Sequence, residues 1–281
     1  MHKWRTYTDE HPNHTVVGNL QWLKKFRSPQ LRNYRDLFVW LPASYSEGQR
    51  RYPVIYMHDG QNLFDEALSY AGEWRVDETM TELGTQHEAI IVGIANAGRH
   101  RLDEYSPFRD TRLAAGGAGD AYLAFLCETV KPMIDREFRT LPGRAHTGLI
   151  GSSMGGLISL YALFRRPETF GFIGAFSPSI WFAEHAILEY VAAAPFVPST
   201  IYLDMGTHEG RDDTDVDPDT ATAPSRHLLD TRHMHSLLLQ KGYRDEVDLR
   251  YVEDHGAGHH ESAWARRLPE ALRFLLSRPS A

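Results

Sequence analysis

The chain alternates short, almost unbroken apolar runs with longer stretches in which apolar residues return every three or four positions. Runs of the first kind suit strands buried on both faces, and those of the second suit helices with one covered stripe. Their alternation predicts an α/β protein, a mostly parallel sheet flanked by helices. Eight strands are predicted, at residues 14–23, 35–42, 52–58, 88–96, 145–151, 171–177, 199–206 and 246–253. A short polar turn separates the first two, so they are expected to pair antiparallel. Helical patterns cover residues 73–84, 119–138, 154–170, 223–242 and 261–276, and Pro132 and Pro269 are expected to kink or restart theirs. Residues 207–225 are acidic and rich in turn formers, which predicts an exposed loop.

Composition narrows the function classes. With 281 residues, 42% hydrophobic and 24% charged, the chain has the make-up of an ordinary soluble protein, and one large α/β domain over residues 1–281 is expected. The net charge of −7 gives no basic footprint for nucleic acid. No apolar run approaches the length that crosses a bilayer, and the first twenty residues lack the apolar core of a secretory leader, so no membrane partner and a cytoplasmic setting are expected. The single cysteine, Cys127, lies in the apolar pattern "AYLAFLCETV" and reads as a core thiol in a reducing compartment.

Chemistry enters with "LIGSSMGGL", residues 149–157. A serine becomes a useful nucleophile on a sharp strand-to-helix turn, which demands small residues two positions to either side. Ser153 has Gly151 and Gly155 there, whereas Ser152 has Ile150 and Met154, so Ser153 is the candidate. It follows a strand pattern and opens a helix, as that turn requires. A base should follow late in the chain, and "EDHGAGHHESAW" supplies His255, His259 and His260. His259, between the loop's second glycine and the last helix, is placed to reach Ser153; His260 and Glu261 suit the start of that helix. The spacing of "HHE" is not that of a helical metal site, so no metal is expected there.

The acid is sought just past the strand "STIYLDMG", at the sheet edge where open α/β folds place their sites. Glu209 is the choice, with Asp204, Asp212 and Asp213 left open. The run "DTDVDPDT" has Pro218 where a calcium-binding EF-hand loop needs glycine, and reads as a solvated loop. The oxyanion donors expected are the N–H of Met154, next to the nucleophile, and that of Gln61 in "MHDGQNLFD", where Gly60 would permit an unusual backbone conformation. Trp181 in "SPSIWF" suits either a wall of the substrate pocket or the core.

With these stretches in place, the chain resembles the putative-esterase family of α/β-hydrolases, which takes in esterase D, enterochelin-type siderophore esterases, feruloyl and acetyl-xylan esterases and the mycolyltransferases. The resemblance runs from Arg35 to Leu276 and is carried by "YMHDGQNLF", "RHRLDEYSPF", "GDAYLAFL", "GLIGSSMGGL", "FSPSIWF", "LDMGTHEG" and "GAGHHESAWARRLP". It implies an α/β-hydrolase fold and a triad mapping onto Ser153, Glu209 and His259. The glutamate departs from the aspartate of the feruloyl-esterase branch, and "HDGQN" from the His-Gly-x-Gly oxyanion form. The expected activity is serine-dependent hydrolysis of short-chain or small aromatic carboxylic esters without a cofactor. An acyltransferase using the same triad and a non-catalytic binding protein are the alternatives, and the sequence does not speak to oligomeric state.

Overall fold

The apolar runs become strands in the computed structural model, which describes residues 2–210 and 224–277. Among the described residues, nine strands form one sheet: β1 (Arg5–Thr6), β2 (Asn19–Ser28), β3 (Asn33–Leu41), β4 (Val54–His58), β5 (Ile90–Ile94), β6 (Thr147–Ser152), β7 (Phe172–Phe176), β8 (Thr200–Gly206) and β9 (Leu249–Asp254). Their spatial order is β1-β2-β3-β5-β4-β6-β7-β8-β9. The six from β5 to β9 run parallel, and β1, β2 and β3 complete the sheet antiparallel. Every residue of β4 through β8 is buried, so these strands read as continuous apolar runs rather than alternating ones.

Helices cover both faces: α1 (Val76–Leu83), α2 (the continuous segments Gly119–Phe125, Leu126–Val130 and Lys131–Glu137), α3 (Met154–Arg165), α4 (Ala186–Ala193), α5 (Arg226–Lys241) and α6 (Glu261–Leu276). Successive side chains of a strand point to opposite faces, and β4 shows the division. Ile55 and Met57 pack with Val76 and Met80 of α1 and with Trp264 and Leu268 of α6. Val54 and Tyr56 join the other layer, with Phe125 of α2, Leu157 of α3 and Met234 of α5. Among the described residues no helix is long and apolar enough to cross a membrane.

Several boundaries differ from expectation. β1 is an addition to the eight strands, a two-residue edge on β2. β2 begins at Asn19 rather than residue 14, because Gly18 turns the chain at φ +86° and Trp40 Nε1 holds the Val17 carbonyl at 2.9 Å. It then extends through polar residues to Ser28, since an exposed strand needs partners for its backbone but not an apolar side chain at every step. β9 starts at Leu249 because residues 246–248 turn instead, Glu246 having φ +57°. Pro132 does not break α2. The segment just before it, Leu126–Val130, widens to a π-turn, which makes room for a ring that lacks an N–H and crowds the preceding turn. Pro269 sits inside α6, and the helix runs through it.

The chain leaves β4 for β5 on one side and returns to β6 on the other. At such a reversal the loops beyond the strands' C-terminal ends diverge and open a crevice. The residues after β4, β6, β7, β8 and β9 all emerge at that edge.

Candidate active site

Ser153 stands between β6 and α3 with φ 57° and ψ −122°, a backbone region that strains a residue bearing a side chain. Its N–H donates to the Phe176 carbonyl at 2.9 Å, which fixes the turn against β7. The flanking glycines have a definite reason: a Cβ on Gly151 would meet His58 Cδ2 at 2.6 Å, and one on Gly155 would meet His58 Cβ at 3.2 Å. The turn is thus wrapped around the buried His58 ring, whose Nδ1 lies 2.8 Å from the Tyr122 hydroxyl. Burial pushes the His58 imidazole down to about 3, so it stays neutral and can pack there. Gly151→Ala is expected to cost about 1–3 kcal/mol by overpacking, read as a lower midpoint in urea unfolding at unchanged slope.

Glu209 lies in the turn after β8 and is 1% exposed. Its Oε2 accepts from His259 Nδ1 at 2.6 Å, and its Oε1 accepts from Ser177 Oγ at 2.6 Å and from the Gly206 N–H at 2.8 Å. Burial works to raise this carboxyl. The hydrogen bond and charge of His259, with the Ser177 and Gly206 donors, outweigh it and hold Glu209 below the usual glutamate range. Asp204 points elsewhere: its Oδ1 accepts from the Ser177 N–H at 2.9 Å and its Oδ2 lies 2.9 Å from Arg267 Nε. Asp212 and Asp213, the other acids considered, lie outside the described residues.

His259 stands on the loop between β9 and α6, its ring edge-on to Trp264 with centroids 5.0 Å apart. His260 is the N-cap of α6 and its side chain accepts from the Ala263 N–H, so of "HHE" only the first histidine is turned toward the acid. Ser153 and His259 line one cavity of about 370 Å³ together with Gln61, Tyr70, Trp74, Arg101 and Trp264. Ser153 Oγ is paired with Ser179 Oγ at 3.1 Å.

Met154 opens α3, so its N–H is among the four that a helix leaves without an intrahelical acceptor. Gln61 lies in the short 3-10 turn Gly60–Asn62, and its side-chain oxygen accepts from the Asn96 N–H at 3.2 Å. The unusual backbone is one residue earlier than expected: Asp59 takes φ 53°, while Gly60 is required because a Cβ there would lie 2.6 Å from the backbone of Gly93 and Ile94. The Asp59 carboxylate accepts from Arg101 Nε and Nη2, both at 2.8 Å, which holds the loop to the cavity wall.

Trp181 is not in this wall. It stacks on His227, with centroids 6.0 Å apart, and lines a neighbouring cavity with Arg112, His185 and Arg226. The aromatic surface beside Ser153 comes from Tyr70, Trp74 and Trp264. Sequence reasoning also missed Ser177. It has φ 42°, donates to Glu209, and accepts from Trp264 Nε1 and Arg267 Nη2 at 2.9 Å each. Its one visible signal was its place just past the strand "GFIGAF", at the edge that collects the other groups.

A family model described as Putative esterase matches residues 28–275 of the chain. The uncharacterized protein YbbA of Bacillus subtilis is 28% identical over 247 residues, covering 86% of this chain and 92% of that protein. A siderophore triacetylfusarinine C esterase of Aspergillus fumigatus is 34% identical over 157 residues, covering 52% of this chain and 50% of the relative. Among solved structures, the enterobactin esterase from Shigella flexneri in the presence of enterobactin superposes with a TM-score of 0.71 at 19% identity, over 93% of this chain and 60% of that one.

Proposed function

Because the chain belongs to the Putative esterase family, it is read as a carboxylic ester hydrolase, and we propose that it works through a serine acyl-enzyme. In this reading Ser153 is the nucleophile, His259 the general base and then acid, and Glu209 the carboxylate that orients the ring. The observation that carries it is the 2.6 Å contact between His259 Nδ1 and a buried, otherwise saturated Glu209, beside a cavity that Ser153 also lines. Nδ1 donating to the acid leaves Nε2 as the basic nitrogen.

For attack, the Ser153 hydroxyl exchanges its Ser179 partner for His259 Nε2. As Oγ bonds to the ester carbonyl carbon, its proton moves to Nε2, and the carbonyl oxygen becomes an oxyanion facing the N–H groups of Met154 and Gln61. Collapse breaks the ester C–O bond, and Nε2 returns the proton to the departing alcohol. Water then enters by the same route and releases the acid. Glu209 keeps its negative charge throughout and offsets the imidazolium formed at each step.

The cavity's size and its Tyr70, Trp74 and Trp264 surface favour short-chain or small aromatic acyl groups. A cytoplasmic setting belongs to the same reading, supported by a half-buried Cys127 as the chain's only cysteine. The test is a panel of p-nitrophenyl esters of graded chain length beside feruloyl and catecholate esters. Turnover is expected to be highest on the short and small aromatic members. A preference for acyl chains beyond about ten carbons would overturn the compact-pocket reading.

A further inference from the structure

Around the start of α1 the chain gathers three carboxylates: Glu73, just before the helix, and Asp77 and Glu78 in its first turn. Each offers an oxygen, and these oxygens lie within 4.8 Å of one another. Acids at a helix N-terminus are ordinary, since they complement its dipole. Buried acids with unmet oxygens are not. Asp77 is 0% exposed, and Glu73 Oε1, Asp77 Oδ1 and Glu78 Oε2 are all buried without a hydrogen-bond partner. The neighbouring cation, Arg75, meets only the other Glu78 oxygen, at 3.2 Å, and its side chain is 63% exposed. A screened pairing of that kind does little for the buried oxygens.

We propose that Glu73, Asp77 and Glu78 bind one hard divalent cation of the Ca²⁺ or Mg²⁺ type, entering from the cleft between α1 and α6. Oxygens around Ca²⁺ sit at about 2.3–2.6 Å, so two on opposite sides of the ion stand about 5 Å apart, and the observed spread fits inside one coordination sphere. Carboxylates with no nitrogen or sulfur ligand select this class of ion. The cleft is lined by the carboxylates of Glu73, Glu78 and Glu82, the guanidinium groups of Arg75 and Arg266, and Ser262, and opens to solvent. The remaining oxygens are already committed: Thr15 Oγ1 donates to Glu73 Oε2 at 3.0 Å and the Val17 N–H to Asp77 Oδ2 at 2.5 Å. The bound ion would therefore fasten the N-terminal segment to the loop that ends at Trp74.

The full-length chain, stripped with EDTA, is titrated with Mn²⁺ and followed by loss of the free-ion electron paramagnetic resonance signal. Thermal unfolding is measured alongside, with and without Ca²⁺. We expect one saturable Mn²⁺ per chain, displaced by Ca²⁺ or Mg²⁺, and a higher Tm with the ion. Asp77→Asn and Glu78→Gln should each weaken binding at least tenfold. If Asp77→Asn fails to fold, the more exposed Glu78 carries the test. No saturable binding at millimolar Mn²⁺, or undiminished binding in Glu78→Gln, would overturn the site. So would a wild-type Tm indifferent to Ca²⁺ alongside a more stable Asp77→Asn, the signature of carboxyls relieved by shared protons.

Discussion

Ser153→Ala is expected to lower kcat by about a million-fold while the protein stays folded, and Ser152→Ala to keep most of the activity. The size follows from the role proposed for the hydroxyl: with that nucleophile gone, only the oxyanion donors and binding would remain, and no acyl-enzyme could form. The asymmetry follows from the turn. Ser153 is the residue held at positive φ over the His58 ring, whereas Ser152 ends β6 in register with Phe176. A fluorophosphonate probe followed by mass spectrometry of the labelled peptide reads the site directly. An adduct on Ser152, or an active Ser153→Ala, would defeat the assignment.

His259→Ala should cost nearly as much, because without a base the hydroxyl keeps its proton and without an acid the alcohol leaves poorly. The neighbouring His260→Ala removes an N-cap instead and should lower stability by about 1 kcal/mol with little change in kcat. Glu209→Gln should fall between, with a loss of about 10⁴-fold, since an amide can no longer fix the ring's tautomer or balance its charge. Substitution at Asp204 tests the same point from the other side. Asp204 contacts Ser177 and Arg267 rather than the imidazole, so Asp204→Asn should act mainly on stability. Asp212→Asn and Asp213→Asn are expected to remain within about tenfold of wild type, since Glu209 already holds the imidazole. An active Glu209→Gln beside an inactive, folded Asp204→Asn would move the acid onto the strand.

Where the candidate site depends on local spacing, its layout was legible in the sequence. Two glycines around Ser153, a glycine-flanked histidine before the last helix and an acid just past a strand are patterns whose chemistry is set within a few residues, and the fold brings His259 and Glu209 into contact. The sheet was readable for a related reason, since strands covered on both faces have no polar alternation to disguise them. What escaped were matters of contact between distant segments. Trp181 suited either a pocket wall or the core, and only the approach of His227, from α5, shows which surface its face meets. Gly60 looked like a conformational need, yet the constraint is the backbone of β5 pressing on it. Ser177 carried no motif, because its importance comes from Glu209, Trp264 and Arg267 converging on a single oxygen.

That convergence has a consequence for how the protein would fail. Helix α6 follows directly on His259, and its Trp264 and Arg267 hold the hydroxyl that steadies Glu209. In the proposed mechanism, base and acid therefore depend on the seating of α6, while Ser153 rests on β6 and α3 at the centre of the sheet. Local opening of that helix would disconnect the proton relay while leaving the nucleophile in place. On warming, catalysis should fade ahead of the bulk secondary structure, and turnover would serve as an early gauge of loosening at α6.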